Sequence, residues 1–241
     1  MFFNLFAFSG FGERVVSTSP NLTEILIQMG FKDEIVGVSH FCPLELPRIA
    51  GIKINWEEVL KLKPTSVFML SSQKTEKGIE VLENLNIKYG VYSFESLKNI
   101  PFCAQDMAKI LGKEKMGRQS FNNFMKGISN LPKFKKARVV YVLWWKPLII
   151  STSSSFLAET FSFMGFETLP KDEKRDFLKK NFEDLFLIRP DYIFFSDDAG
   201  TPPKIISQNF KLIPLPSDKI NRPNLKFFEY FYNFKDEKIF H

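Results

Sequence analysis

The chain is short of the residues that most site chemistry requires. It has 241 residues, two histidines and two cysteines, and one of the histidines, His241, is the last residue. A zinc or manganese site needs several His and carboxylate ligands converging, so a metal centre of that kind is disfavoured. Cys42 and Cys103 make no disulfide framework, and whether they pair is open at this level. There is no P-loop and no Gly-x-Gly-x-x-Gly, and Ser153 to Ser155 do not form the Gly-x-Ser-x-Gly elbow of a hydrolase. Asp197 and Asp198 are adjacent, and neighbours on an extended chain point apart, which argues against paired-carboxylate catalysis. Nucleophile, base and oxyanion donors cannot be assembled, so no catalytic residue is assigned.

Concentrated charge is also missing. The net charge is +6, but Lys and Arg are scattered, and the densest run (Lys133, Lys135, Lys136, Arg138) is broken by Phe134. No zinc-finger spacing, ribonucleoprotein aromatic motif or long basic helix accompanies it, so a solvated face is expected and nucleic acid is not expected as a partner. No apolar run reaches the length of a membrane span. The start, MFFNLFAFSGFG, is apolar but lacks a basic n-region and a small-x-small cleavage site. A trimmed leader, a first strand and an apolar tail are equally open there, so extracytoplasmic and cytoplasmic locations are both open from the residues alone.

What is present is apolar and periodic. At 44% hydrophobic residues, with 28 Phe, the chain can bury a real core. β-Branched runs such as residues 14–20, 34–40 and 66–70 alternate with helical patterns, which implies α/β lobes with parallel sheets. Residues 113–131 read as one long amphipathic helix. The expected organisation is an N-terminal α/β lobe over 1–112, a linking helix over 113–136 and a C-terminal α/β lobe over 137–241.

The second half repeats the first. NWEEVLKLKPTSVFML at 55 is answered by NFEDLFLIRPDYIFFS at 181, NLTEILIQMGFK at 21 by SSFLAETFSFMGFE at 154, ERVVSTS by ARVVYVLWW, and NIKYGVYSF by NFKLIPLPS. Asn55 and Asn181 read as N-caps with Glu58 and Asp184 in capping-box position, and the residue before each proline, Lys63 and Arg189, should end its helix. Four matches in one order mark a duplicated α/β lobe.

In such folds ligands lie beyond the carboxyl ends of the strands. That rule selects Ser19, Pro20, Asn21, His40, Phe41 and Ser72 in the first half, and Trp144, Trp145, Lys146, Asp198 and Arg222 in the second, as the lining of a cleft between the lobes. Aromatic faces with a few polar tips suit a large, partly apolar ligand. Trp144 and Trp145 end a strand and should face opposite ways, one to the core and one outward. His40 reads as a hydrogen-bonding pocket residue, with an axial role on a bound metal as the sharper alternative.

The segments RVVSTSPNLTEILIQMGF, VGVSHFCPLELPRIAGI and NWEEVLKLKPTSVF, with their second-half counterparts, resemble class III substrate-binding proteins of ABC importers, which serve cobalamin, ferric siderophores and haem. The order VGVSH, LP, G, N-x-E, LKP, V most resembles the cobalamin-binding branch. The resemblance implies two α/β lobes joined by a rigid helix and a monomer that works with an ABC permease dimer outside the cytoplasm. It implies no resident cofactor, and a ligand that is cobalamin or another metal-containing macrocycle or chelate. It also implies that Glu57 and Glu183 dock on the permease. A ferric siderophore or haem is the alternative ligand, and a cytosolic α/β enzyme or sensor is the alternative class. The chain departs from the family pattern in its compact loop from Cys42 to Gly51 and in Gly165-Phe166-Glu167, where many relatives carry a glycine pair.

Overall fold

A computed structural model describes residues 12–172 and 174–234. The apolar start up to Phe11 and the terminal His241 lie outside the described residues. The described residues form two compact units: those up to Tyr92 with Asp106–Gly117, and Ser93–Gln105 with those from Arg118 to Phe234.

The first unit runs β1 (Val15–Ser17), α1 (Pro20–Gln28), β2 (Ile35–Ser39), β3 (Arg48–Ala50), α2 (Trp56–Lys61), β4 (Ser66–Leu70), α3 (Glu76–Asn84) and β5 (Lys88–Tyr92). Its sheet has the order β3-β2-β1-β4-β5, and every pair is parallel. The chain winds outward from β1 to β3 and then returns to β4 on the other side. The order therefore reverses at the β1/β4 boundary, where open α/β sheets place their ligand crevice. Val16, Ile49, Val59, Val67, Met69 and Leu82 form the core on one face.

Two helices follow, α4 (Asn99–Ile110) and α5 (Glu114–Ser129), and each starts in one unit and ends in the other. The long amphipathic helix read from residues 113–131 is α5. α4 carries Pro101 in its first turn, where proline is tolerated because the N–H groups there have no intrahelical partner.

The second unit contains β6 (Ala137–Trp145), β7 (Leu148–Ser151), α6 (Phe156–Phe163), β8 (Phe166–Thr168), β9 (Phe177–Lys180), α7 (Phe182–Ile188), β10 (Tyr192–Ser196), α8 (Lys204–Asn209), β11 (Leu212–Leu215) and α9 (Ser217–Ile220). Its sheet order is β11-β10-β6-β7-β9, with β8 also on β6. The parallel pairing expected of the lobe holds for most of this sheet, with one antiparallel strand inserted. β11, β10, β6 and β8 are parallel, but β7 pairs antiparallel with both β6 and β9. Only Lys146 and Pro147 separate β6 from β7, and a connection that short can join only antiparallel strands.

The repeat is visible in the caps. Ser19 accepts from Leu22 N at the start of α1, and Ser155 accepts from Ala158 N at the start of α6. The two helices are followed by Gly30 and Gly165, with φ of +92° and +99°. α2 and α7 end alike, with Lys63 at φ +47° and Arg189 at +50°, each before a proline. The expected capping-box residues hydrogen-bond to each other at both N-termini. Glu58 N donates to Asn55 Oδ1 in the first copy, whereas Asn181 N donates to Asp184 Oδ2 in the second. Glu58 instead pairs with Lys61 at 2.8 Å.

Candidate ligand site and family

In the first unit the site residues follow β1, β2 and β4, three strands that are neighbours in the sheet. One side chain ties their exits together. Gln73 accepts from Thr18 Oγ1 at 2.6 Å and from Leu70 N at 3.3 Å, and it donates to Thr18 O at 3.2 Å and to Gly51 O at 3.0 Å. It spans the β1/β4 boundary where the sheet order reverses, and so it fixes the edge on which Ser72 is exposed. Arg48 does the same for the loop after β2: its guanidinium donates to Ser39 O at 3.1 Å and Cys42 O at 2.5 Å. Those two carbonyls bracket His40 and Phe41. His40 is exposed, its backbone N donates to Ala50 O, and Phe41 is 65% exposed. A phenyl ring left that open on a pinned loop is available as an apolar contact.

Ser19 differs from the others, being 5% exposed with its hydroxyl engaged as the cap of α1. Pro20 and Asn21 beside it are half-buried.

In the second unit Trp144 and Trp145 face opposite ways, as expected. Trp144 is 48% exposed and Trp145 is 1% exposed. Strict alternation would group Trp144 with Val140 and Val142. The ladder between β6 and β7 shifts register between Val142 and Trp144, so it is Trp145 that joins those valines in the core. Lys146 is exposed at the turn. It shares a cavity of about 290 Å³ with Lys180 and Glu183, so one expected ligand residue and one expected docking residue lie on the same concave surface.

Asp198 is exposed beyond the end of β10, and Arg222 is half-buried just after α9. The two adjacent aspartates take separate partners. Asp197 accepts from Ser217 N at 2.9 Å, a bond that holds its carboxyl below the usual range. Asp198 accepts from Ser196 Oγ. They do not form a carboxylate pair. Sequence reading missed Thr18 and Tyr141, whose hydroxyls hold Gln73 and Asn221 respectively. The available signal was a polar group in a strand read as buried, since such a group needs a partner there.

Glu57 and Glu183 are both exposed on the first turns of α2 and α7. Glu57 lies 3.1 Å from Lys61 Nζ, whereas Glu183 makes no ion pair among the described residues. Cys42 and Cys103 are both buried and are not joined in a disulfide. Among the described residues no group of three His, Cys, Asp or Glu could hold a metal ion, and no helix is long and apolar enough to cross a membrane.

Comparison with known proteins places this architecture. The profile of the periplasmic binding protein family matches residues 15–209. A vitamin B12-binding protein of Vibrio vulnificus (strain YJ016) is 26% identical over 233 residues, covering 88% of this chain and 84% of its own. The crystal structure of the periplasmic vitamin B12 binding protein BtuF of Vibrio cholerae superposes with a TM-score of 0.73 at 24% identity, over 95% of this chain and 98% of that one. The periplasmic haem binding protein HutB of the same organism gives 0.77 at 15% identity, over 92% and 98%. The match to binding proteins answers the question of class left open by the missing catalytic motifs: the chain binds rather than transforms, and it belongs to the periplasmic binding protein family.

Proposed function

We propose that this protein captures cobalamin or a related corrinoid outside the cytoplasm and delivers it to an ABC import permease. The observation that carries this reading is the likeness to a vitamin B12-binding protein along 88% of the chain. The exposed edges support it. Phe41 and Trp144 offer open aromatic faces for a flat macrocycle. Polar groups follow the strand ends of each unit, with Asn21, His40 and Ser72 beside Pro20 in the first and Lys146, Asp198 and Arg222 in the second. In this reading Ser19 contributes by shaping α1, Trp145 by packing the core of the strand that carries Trp144, and His40 by hydrogen bonding or as an axial ligand to the bound metal. Glu57 and Glu183, one in each copy of the repeat, orient the protein on the permease dimer.

A haem or ferric siderophore ligand is the second reading, favoured by the backbone likeness to a haem binding protein. Titration of the purified protein with cyanocobalamin, haemin and a ferric siderophore, followed by tryptophan fluorescence with inner-filter correction, separates them. Saturable quenching by cyanocobalamin alone is expected. Quenching by haemin or the siderophore alone would move the ligand, and silence from all three would overturn the reading.

A further inference from the structure

The second unit contains a chain of hydrogen bonds whose direction is set from its interior. Tyr141 is fully buried on β6, with its ring edge-on to Phe161. Burial raises its phenol well above the ordinary range and outweighs the opposing pull of its hydrogen bonds with Ser196 and Asn221. The hydroxyl therefore keeps its proton, and it donates to Asn221 Oδ1 at 2.6 Å. With Oδ1 so engaged, the amide nitrogen of Asn221 turns to Ser196 and donates to its Oγ at 3.0 Å. Ser196 has one proton, and having accepted from Asn221 it gives that proton to Asp198 Oδ1 at 2.5 Å.

The chain runs from buried Tyr141 through half-buried Asn221 and buried Ser196, and only its last acceptor, Asp198, is exposed. It ends on a carboxylate that is exposed and held at one oxygen, and among the described residues nothing donates to Asp198 Oδ2. Beside it Asp197 holds a second negative charge, fixed by Ser217 N. A ligand group seated on this edge meets oriented acceptors. A carboxamide N–H or a hydroxyl satisfies them, while a carboxylate would be desolvated against like charge.

We infer that Tyr141, Asn221 and Ser196 are positioning residues that hold Asp198 as a fixed hydrogen-bond acceptor, so that this edge selects ligands presenting N–H or O–H donors, such as ring carboxamides, over ligands presenting carboxylates. The inference rests on the corrinoid reading above and gives it a chemical basis. Lys146 and Arg222 bring positive charge to neighbouring loops, so the comparison that isolates Asp198 uses a single ring system.

Dicyanocobinamide, whose ring carries carboxamides, and dicyanocobyrinic acid, whose ring carries carboxylates, supply that pair. Calorimetric titration of the wild-type protein should show a preference for the carboxamide ring of about tenfold or more, the scale of one hydrogen bond to a charged group. Asp198→Asn offers a donor as well as an acceptor and removes the charge, so the ratio should fall to within about threefold. Tyr141→Phe and Ser196→Ala leave Asp198 in place but release it, and each should lower the ratio partway. A residue that only supported the fold would weaken both ligands together and leave the ratio unchanged. If Tyr141→Phe fails to fold, Ser196→Ala decides the role of the chain. An unchanged ratio in Asp198→Asn would overturn this inference alone. An unchanged ratio in the folded relay variants would overturn the positioning roles. Failure of both rings to bind the wild-type protein would overturn the corrinoid reading and this inference with it.

Discussion

Removing the indole at Trp145 should cost about 3–5 kcal/mol, because it empties a packed site among Val140, Val142, Leu148 and Ile150. Removing the one at Trp144 should change stability by less than about 0.5 kcal/mol, since nearly half of that side chain is already in solvent. Ligand binding should show the opposite order. Trp144→Ala is expected to remove most of the ligand-dependent fluorescence change, and a conservative replacement of Trp145, such as Trp145→Phe, to leave most of it in place. Thermal unfolding and the same titration, run on both variants, check this; full quenching in Trp144→Ala would mean that the reporting tryptophan has been misassigned. Alternation along a strand shows that the two rings part ways. Which one goes inward depends on the register shift against β7, a pairing between strands that no local pattern in 137–145 encodes. Tyr141 was hidden for a related reason, since its partner Asn221 lies 80 residues further along the chain.

Elements were more legible than contacts. The helix stops at Gly30 and Gly165 and the pre-proline ends at Lys63 and Arg189 are written in residue type, because few residues accept a positive φ or precede proline without leaving the helix. The repeated motifs therefore located α1, α2, α6 and α7 before any packing was known. The hairpin of β7 was not legible in this way. The first copy has no equivalent of it, so matching the halves carried a parallel expectation into a segment that folds differently. The two glycines also separate in their surroundings. A Cβ on Gly30 would meet only the side-chain end of Met116, Cε at 3.7 Å, whereas one on Gly165 would lie 2.5 Å from the carbonyl oxygen of Phe134. That backbone is held in place, since Phe134 N donates to Met164 O and its ring stacks on Phe166. Gly30→Ala should therefore destabilise by about 1–2 kcal/mol through backbone conformation alone. Gly165→Ala adds a clash and should exceed it, at about 3 kcal/mol or more. Equal midpoint shifts on chemical denaturation would show that the carbonyl of Phe134 yields.

For the whole molecule, the class of fold and of function came from order rather than from any single residue. Four segments repeating in the same sequence specify a duplicated α/β chain more firmly than a motif could, and a binding protein needs no catalytic constellation to be recognised. The repeat also places one acidic residue in each copy at the same helical position, and duplication alone would produce that symmetry. Helix N-termini favour Glu in any case, so only a functional test can tell inheritance from use. The surroundings of the two residues make that test asymmetric. Glu57 pairs with Lys61 at 3.1 Å, while Glu183 has no ion-pair partner among the described residues. If both dock into basic sites on a permease, Glu183→Lys should weaken association more than Glu57→Lys, and the double variant should weaken it most. Ligand affinity should remain within about threefold of wild type throughout, because neither residue is among those proposed to touch the ligand. Binding to permease in nanodiscs, measured at two salt concentrations alongside ligand titration, reads both quantities. A fall in ligand affinity would transfer Glu183 to the cavity it shares with Lys146. Association left intact by the double reversal would reduce the symmetry of the two glutamates to a relic of duplication.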